Sequence, residues 1–279
     1  MYNRRSHYVG ITLIELMISL TISFLILTLL TTLYITSQQN LSLQIAINTI
    51  QENAQAALNL MRNDIHNAGL IGCARLTSDF PLINHTNIIF NTNNRISGTN
   101  HSITIRHAGL MSNNLIQAMN DDISLYISNN HYKMGDVVIL SDCQSAEIFQ
   151  ITKIESTNNH SAKIIFSTPL ARRFDQTAEL RLLEINTYAI HPTSRTNTVG
   201  KLISALYLQN IKNRNNELIE GIDALEMKYT IIHAGAIMTV NADQISDWSA
   251  LIGVHIALTV SAANFLPLKK IWYGYAVLH

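Results

Sequence analysis

Between Ile11 and Ile35 every position is apolar or carries a hydroxyl, with one exception, Glu15. Neither Pro nor Gly interrupts the run. As a helix it would be about 37 Å long, enough to cross a bilayer. From Gln38 the pattern becomes one-sided. Leu43, Ile47, Ile50, Ala54, Ala57, Leu58, Met61, Ile65 and Ala68 recur at steps of three and four, the spacing of an amphipathic helix. Gly69 follows as a C-terminal stop. The pattern predicts one helix from Ile11 to Ala68, about 87 Å long if unbroken. Residues 11–35 form its transmembrane half and 36–69 its amphipathic half. The alternative is an anchor followed by a separate soluble helix, which differs only by a kink.

After Cys73 the period falls to two. Segments 101–107, 123–128, 136–143, 146–152, 162–167, 180–190, 201–209, 225–232, 252–262 and 271–278 read as strands. Asn- and Ser-rich pieces at 91–100, 112–114, 156–162, 193–198 and 210–216 read as exposed loops. One long helix followed by strands is an α+β pattern. The outer half of the helix is expected to pack on an antiparallel sheet, with 70–279 forming one β-rich globular domain.

Charge sharpens the N-terminal reading. Arg4 and Arg5 precede the apolar run, and the next Lys or Arg is Arg62. That asymmetry puts the N-terminus in the cytoplasm and the bulk of the chain outside. The apolar core is too long for a secretory signal peptide, and no A-x-A-like site follows it. Glu15 then needs an account, because a carboxylate deep in a membrane helix costs about 2.5–3.5 kcal/mol. It either lies close enough to the interface to stay wet or has a cationic partner. No Lys, Arg or His lies within the run. Cleavage after Gly10 would create an amine on Ile11, four residues from Glu15.

Composition adds little chemistry. Nineteen basic residues balance nineteen acidic ones, so the chain as a whole has no pull towards nucleic acid. None of the common catalytic or nucleotide-binding motifs occurs, and no cofactor is implied. The eleven histidines show no metal spacing; His107 and His255 read as surface or hydrogen-bonded core residues of strands. Asp121, Asp122, Asp243 and Asp247 could hold Ca²⁺ but read as solvated loop residues. Arg172, Arg173, Lys269 and Lys270 are isolated basic pairs rather than a stripe. Two cysteines, Cys73 and Cys143, suffice for one bridge or could remain two buried thiols.

"GITLIEL", residues 10–16, followed by a long apolar stretch resembles the class III leader of type IV prepilins. Residues 51–73, "QENAQAALNLMRNDIHNAGLIGC", resemble the matching stretch of PilW-type minor pilins. So do "SDCQSAEIFQIT" (141–152), "ELIEGIDALEMKYT" (217–230) and "DWSALIGVHIALTVSA" (247–262), while the loops do not match. The resemblance implies that residues 1–10 are a leader, that prepilin peptidase cuts between Gly10 and Ile11, and that Ile11, where the family usually has Phe, is N-methylated. It implies that Glu15 pairs with the N-terminal amine of a neighbouring subunit during assembly. It implies a Cys73–Cys143 disulfide tying the helix exit to the "SDC" strand. The implied partners are other minor pilins, the major pilin and the inner-membrane assembly platform; nucleic acid is not among them. The implied location is the inner membrane before assembly and the cell-surface pilus after it, with a structural rather than enzymatic role in priming growth at the tip. The alternative is a J-type pseudopilin of a type II secretion system; "LIEGIDALEMKY" resembles both families, while the cysteine pair and the "GLIGC" turn favour the pilus reading.

Overall fold

The computed structural model describes residues 12–128, 131–158, 161–197, 200–262 and 268–278. A single helix, α1, runs Leu13–Asn67. The chain divides into two compact units inside this helix, between Thr49 and Ile50.

In the first unit α1 is apolar or hydroxylated all round from Leu16 to Ile35, and Leu16, Phe24, Leu33 and Tyr34 are among its exposed side chains. This helix is long and apolar enough to cross a membrane. Its hydroxyls do not interrupt it. Ser19, Thr21, Ser23, Thr28, Thr31, Thr32 and Thr36 each donate to a carbonyl three or four residues back. That satisfies their polar groups without water.

In the second unit the stripe Ile50, Ala54, Ala57, Leu58, Met61, Ile65 and Ala68 is buried. Leu43 and Ile47, expected on the same stripe, are exposed. Each large side chain removed from water here stabilises the fold by about 2 kcal/mol. The helix stops at Asn67, before the expected end at Ala68–Gly69. Gly69 has φ +74, a left-handed geometry that glycine adopts without a Cβ penalty. Its N–H donates to Arg106 O at 2.9 Å, and the Arg75 guanidinium caps His66 O at 2.8 Å. The helix end is thus satisfied by the strands and loops around it.

Among the described residues the strands are, in chain order, β1 (Leu82–Asn84), β2 (Ile96–Gly98), β3 (Ser102–Asn114), β4 (Ser124–Ser128), β5 (Val137–Ser141), β6 (Ala146–Asn158), β7 (Ser161–Phe166), β8 (Glu179–Thr196), β9 (Leu202–Gln209), β10 (Asn215–Glu220), β11 (Ile222–His233), β12 (Ala236–Val240), β13 (Leu251–Ser261) and β14 (Lys269–Val277). The ten segments read from the period-two pattern are all strands. The single antiparallel sheet expected is instead two sheets. The larger is ten-stranded, with the path β10-β9-β8-β5-β6-β7-β4. The smaller is β12-β11-β13-β14. All pairings are antiparallel except β1 with β6, where a short strand returning from the helix exit runs alongside its neighbour.

β8 is the seam of the large sheet. β3 follows one edge of it, while β5 and then β9 share the other. Phe149, Phe166, Phe174 and Leu180 anchor one core cluster; Ile71, Ile139, Ile148 and Leu183 anchor another. The small sheet turns Leu225, Met227, Tyr229, Val254, Ile256 and Leu258 inward. At β14 the two buried positions, Gly274 and Ala276, are small. A Cβ on Gly274 would come within 2.7 Å of Leu58 and 3.2 Å of Arg62, so α1 approaches this strand closely because Gly274 has no side chain. The turn after β2 joins the two sheets: Tyr229 Oη donates to Thr99 O at 2.6 Å, and Met227 N–H to Asn100 O at 2.8 Å.

Candidate functional site

Gly10 and Ile11 lie outside the described residues. Glu15 opens α1. Its Oε2 accepts from the Thr12 N–H at 2.9 Å and from Thr12 Oγ1 at 3.0 Å. Thr12 stands just before the first helical residue and Glu15 at the third position, so the carboxylate closes half of a capping box. An acid here also complements the positive end of the helix dipole. The T-x-x-E spacing at 12–15 carries that signal in the sequence, and the reading from hydrophobic pattern passed over it. The carboxylate is therefore engaged within its own helix.

Cys73 and Cys143 form a disulfide with Cα atoms 5.2 Å apart. It joins the exit of α1 to the turn after β5. Cys143 sits at φ +68, an uncommon left-handed conformation for a side-chain-bearing residue. The turn around it is built by Asp142, which accepts from the N–H groups of Gln144 and Ser145 and pairs with Arg172. Arg172 also lies over the Phe174 ring, 4.6 Å from its centroid. Gly72, at φ +114, lets the crosslinked loop pass against Ser141.

A second node stands beside it on β6. Glu147 is 1% exposed. Its carboxylate contacts His85 Nε2 at 2.6 Å and accepts from the backbone N–H groups of Ala171 at 2.9 Å and Arg172 at 3.2 Å. One buried acid thus fixes the loop after β1 and the loop between β7 and β8. The alternating pattern of "AEIFQIT" had placed Glu147 only as a polar position.

The remaining sequence candidates are local. Asp121 accepts from the Ser124 hydroxyl and from the N–H groups of Ile123 and Ser124. Asp247 caps the turn led by Trp248. Lys269 pairs with Asp223 at 2.5 Å, and Lys270 lies over the Trp272 ring. His255 is exposed on β13 and contacts Thr230 Oγ1, whereas His107 is buried on β3. Among the described residues no group of three or more His, Cys, Asp or Glu could hold a metal ion.

A polar cavity of about 620 Å³ is lined by Lys133, Asp136, Gln150, Glu184, Lys212 and Arg214 among others. Lys212 Nζ sits 2.6 Å from Asp136, whose other oxygen accepts the Lys133 N–H. The Asp136 carboxylate is thereby consumed in holding the 210–214 turn over the sheet. The nodes just described are structural: they fasten loops and the helix exit to the large sheet. Comparison with protein-family models, with curated proteins and with solved structures finds no match to this chain.

Proposed function

We propose that this protein is a structural subunit of a type IV pilus, a minor pilin of the PilW type that helps prime assembly at or near the tip. The observation that carries the reading is the conjunction at the N-terminus. A basic leader, Gly10 and Ile11 stand ahead of a helix that carries Glu15 in its first turn and is apolar all round and then one-faced. The disulfide between the helix exit and the strand that ends in "SDC" supports it. On this reading prepilin peptidase cuts after Gly10 and methylates Ile11. The subunit waits in the inner membrane, and Glu15 guides its incorporation beside other minor pilins and the major pilin. A large outer unit suits a tip position, because a bulky subunit repeated along a shaft would crowd its neighbours.

The similarity of "LIEGIDALEMKY" to J-type pseudopilins favours a second reading, a type II secretion component. A deletion strain scored for surface pili and for secreted exoproteins separates the two. Lost or sharply reduced pili with normal secretion is the expected result. Normal pili with blocked secretion selects the pseudopilin. Two substitutions test the N-terminal assignment. Gly10→Glu should leave the chain uncleaved, and Glu15→Ala should leave a processed chain out of the filament. A Gly10→Glu chain that still begins at Ile11 removes the leader assignment.

A further inference from the structure

Among the described residues β14 is an open edge of the small sheet. Its register with β13 runs from Val277 opposite Gly253 to Lys269 opposite Ser261 without a shift, and the Leu278 N–H donates to Ile252 O at 2.9 Å. The even-numbered residues therefore bond to β13. The N–H and C=O groups of Ile271, Tyr273, Tyr275 and Val277 face outward along the edge. Their side chains are exposed as well, Tyr273 at 76%. The other strands that end the two sheet paths are blunted. β4 and β12 have five residues each, and β10 is broken by a register shift between Glu217 and Ile219. β14 has neither a bulge nor a Pro to protect it. Beside this edge lies a cation without a counter-charge. A Cβ on Gly274 would meet Arg62 Nη2 at 3.2 Å and Nε at 3.5 Å. Nε is buried with no hydrogen-bond partner, and among the described residues the guanidinium has no ion pair either. Trp272 Nε1, on the same face of β14 as Gly274, is also buried and unpaired. Asp64, on the opposite flank of the buried stripe of α1, is already bound to Asn186 and Tyr188.

We propose that the β14 edge and Arg62 together form a docking site for an extended segment of a different protein chain, which adds a strand to the small sheet and brings a carboxylate to Arg62. The inference stands whether the chain is a minor pilin or a pseudopilin. Main-chain bonds to the outward groups of β14 hold the added strand, and its side chains alternate between the two faces. On the outer face they pack on Tyr273 and Tyr275. On the inner face, the side chain beside Gly274 passes over the missing Cβ to the guanidinium, whose forked N–H donors suit a carboxylate. A second copy of this chain lacks the required acid. β4, β12 and β14 carry neither Asp nor Glu, and Glu217 and Glu220 of β10 are both held by Arg195. Two β14 strands side by side would instead bring together Lys269, Lys270 and Arg62 of each copy.

The test places the photo-reactive amino acid p-benzoylphenylalanine at position 273 of the full chain in its native cells. Irradiation should trap one other chain, and peptide mapping should put the link in an extended segment that carries Asp or Glu. Arg62→Glu should cut the yield about tenfold, and reversing that acid to Arg in the trapped chain should restore it. Ile271→Pro removes an outward N–H and no bond to β13, so it keeps the fold and should lower the yield even where Arg62→Glu disturbs folding. A link to a second copy, to lipid or to no chain at all overturns the proposal. So does a yield that either substitution leaves unchanged.

Discussion

Replacing Glu147 by Ala tests whether a single buried carboxylate holds two loops on the large sheet. The substitution removes the acceptor of three donors, His85 Nε2 and the N–H groups of Ala171 and Arg172. A buried donor left unsatisfied costs about 1–3 kcal/mol. The lower end of that range applies to each donor, because the two loops can relax towards solvent once released. The sum is about 3–5 kcal/mol. For a unit the size of residues 50–279, each kcal/mol moves the melting midpoint by about 2–4 °C. The expected fall is therefore about 6–20 °C, read by circular dichroism of the intact chain in detergent. Glu147→Gln keeps the volume and one acceptor oxygen and should fall about half as far. An Ala variant melting within about 2 °C of wild type would refute the reasoning, since the loops would then be held by packing alone.

Other substitutions probe the remaining contacts. Cys73→Ser with Cys143→Ser opens a crosslink between residues 70 apart in sequence and should cost about 4 kcal/mol on the chain-entropy account. Two reactive thiols in unfolded, unreduced wild type would remove the bridge. Gly274→Val places a side chain where Leu58 and Arg62 already stand and should destabilise by about 1–3 kcal/mol in thermal melts; no change would mean that α1 does not press on β14. The hydroxyl and N–H of Ser249 hold the Asp247 carboxyl below its ordinary value. A depressed acid contributes stability above its unfolded value, near about 3.9, and loses it as the pH falls. The gap in stability between wild type and Asp247→Asn should therefore close between about pH 4 and pH 2, and a gap constant over that range removes the cap's contribution.

The elements that hydrophobic periodicity disclosed are those whose burial is decided by one face. α1 and the strands at 101–107 and 252–262 repeat or alternate because one side meets the core, whereas 136–143 is a short continuous apolar run with core on both faces. β1, β2, β10 and β12 escaped. β1 and β2 are three residues long, too short to show a period. β10 begins in "NNELIE", where its position beside β9 rather than its own residues makes it a strand. β12 follows a tight turn in which Ala234 has φ +50 and Gly235 φ +80. Ala at the first left-handed position hides a turn that Asn would have announced. Glu147 was visible only as a polar residue in a strand. Its partners come from distant segments, so no local pattern could reveal them. Glu15 was legible as an anomaly, and the Thr12 spacing that accommodates it was legible too, although composition drew attention away from it.

The position of β8 sets an order on folding. β5, β6 and β7 can pair as successive hairpins, each with a neighbour made just before it. β3 cannot. Apart from the short β2 its partner is β8, with Ser102 opposite Ala189, so its second edge stays open until a strand far downstream arrives. Pairings of such separation close slowly, and an open edge rich in Ile is a template for the wrong chain. The hazard for this subunit therefore falls in the interval before Glu179–Thr196 docks, and ends once it has. Changes that slow the docking of β8 should lower the yield of folded chain more than they lower the melting point of the chains that succeed.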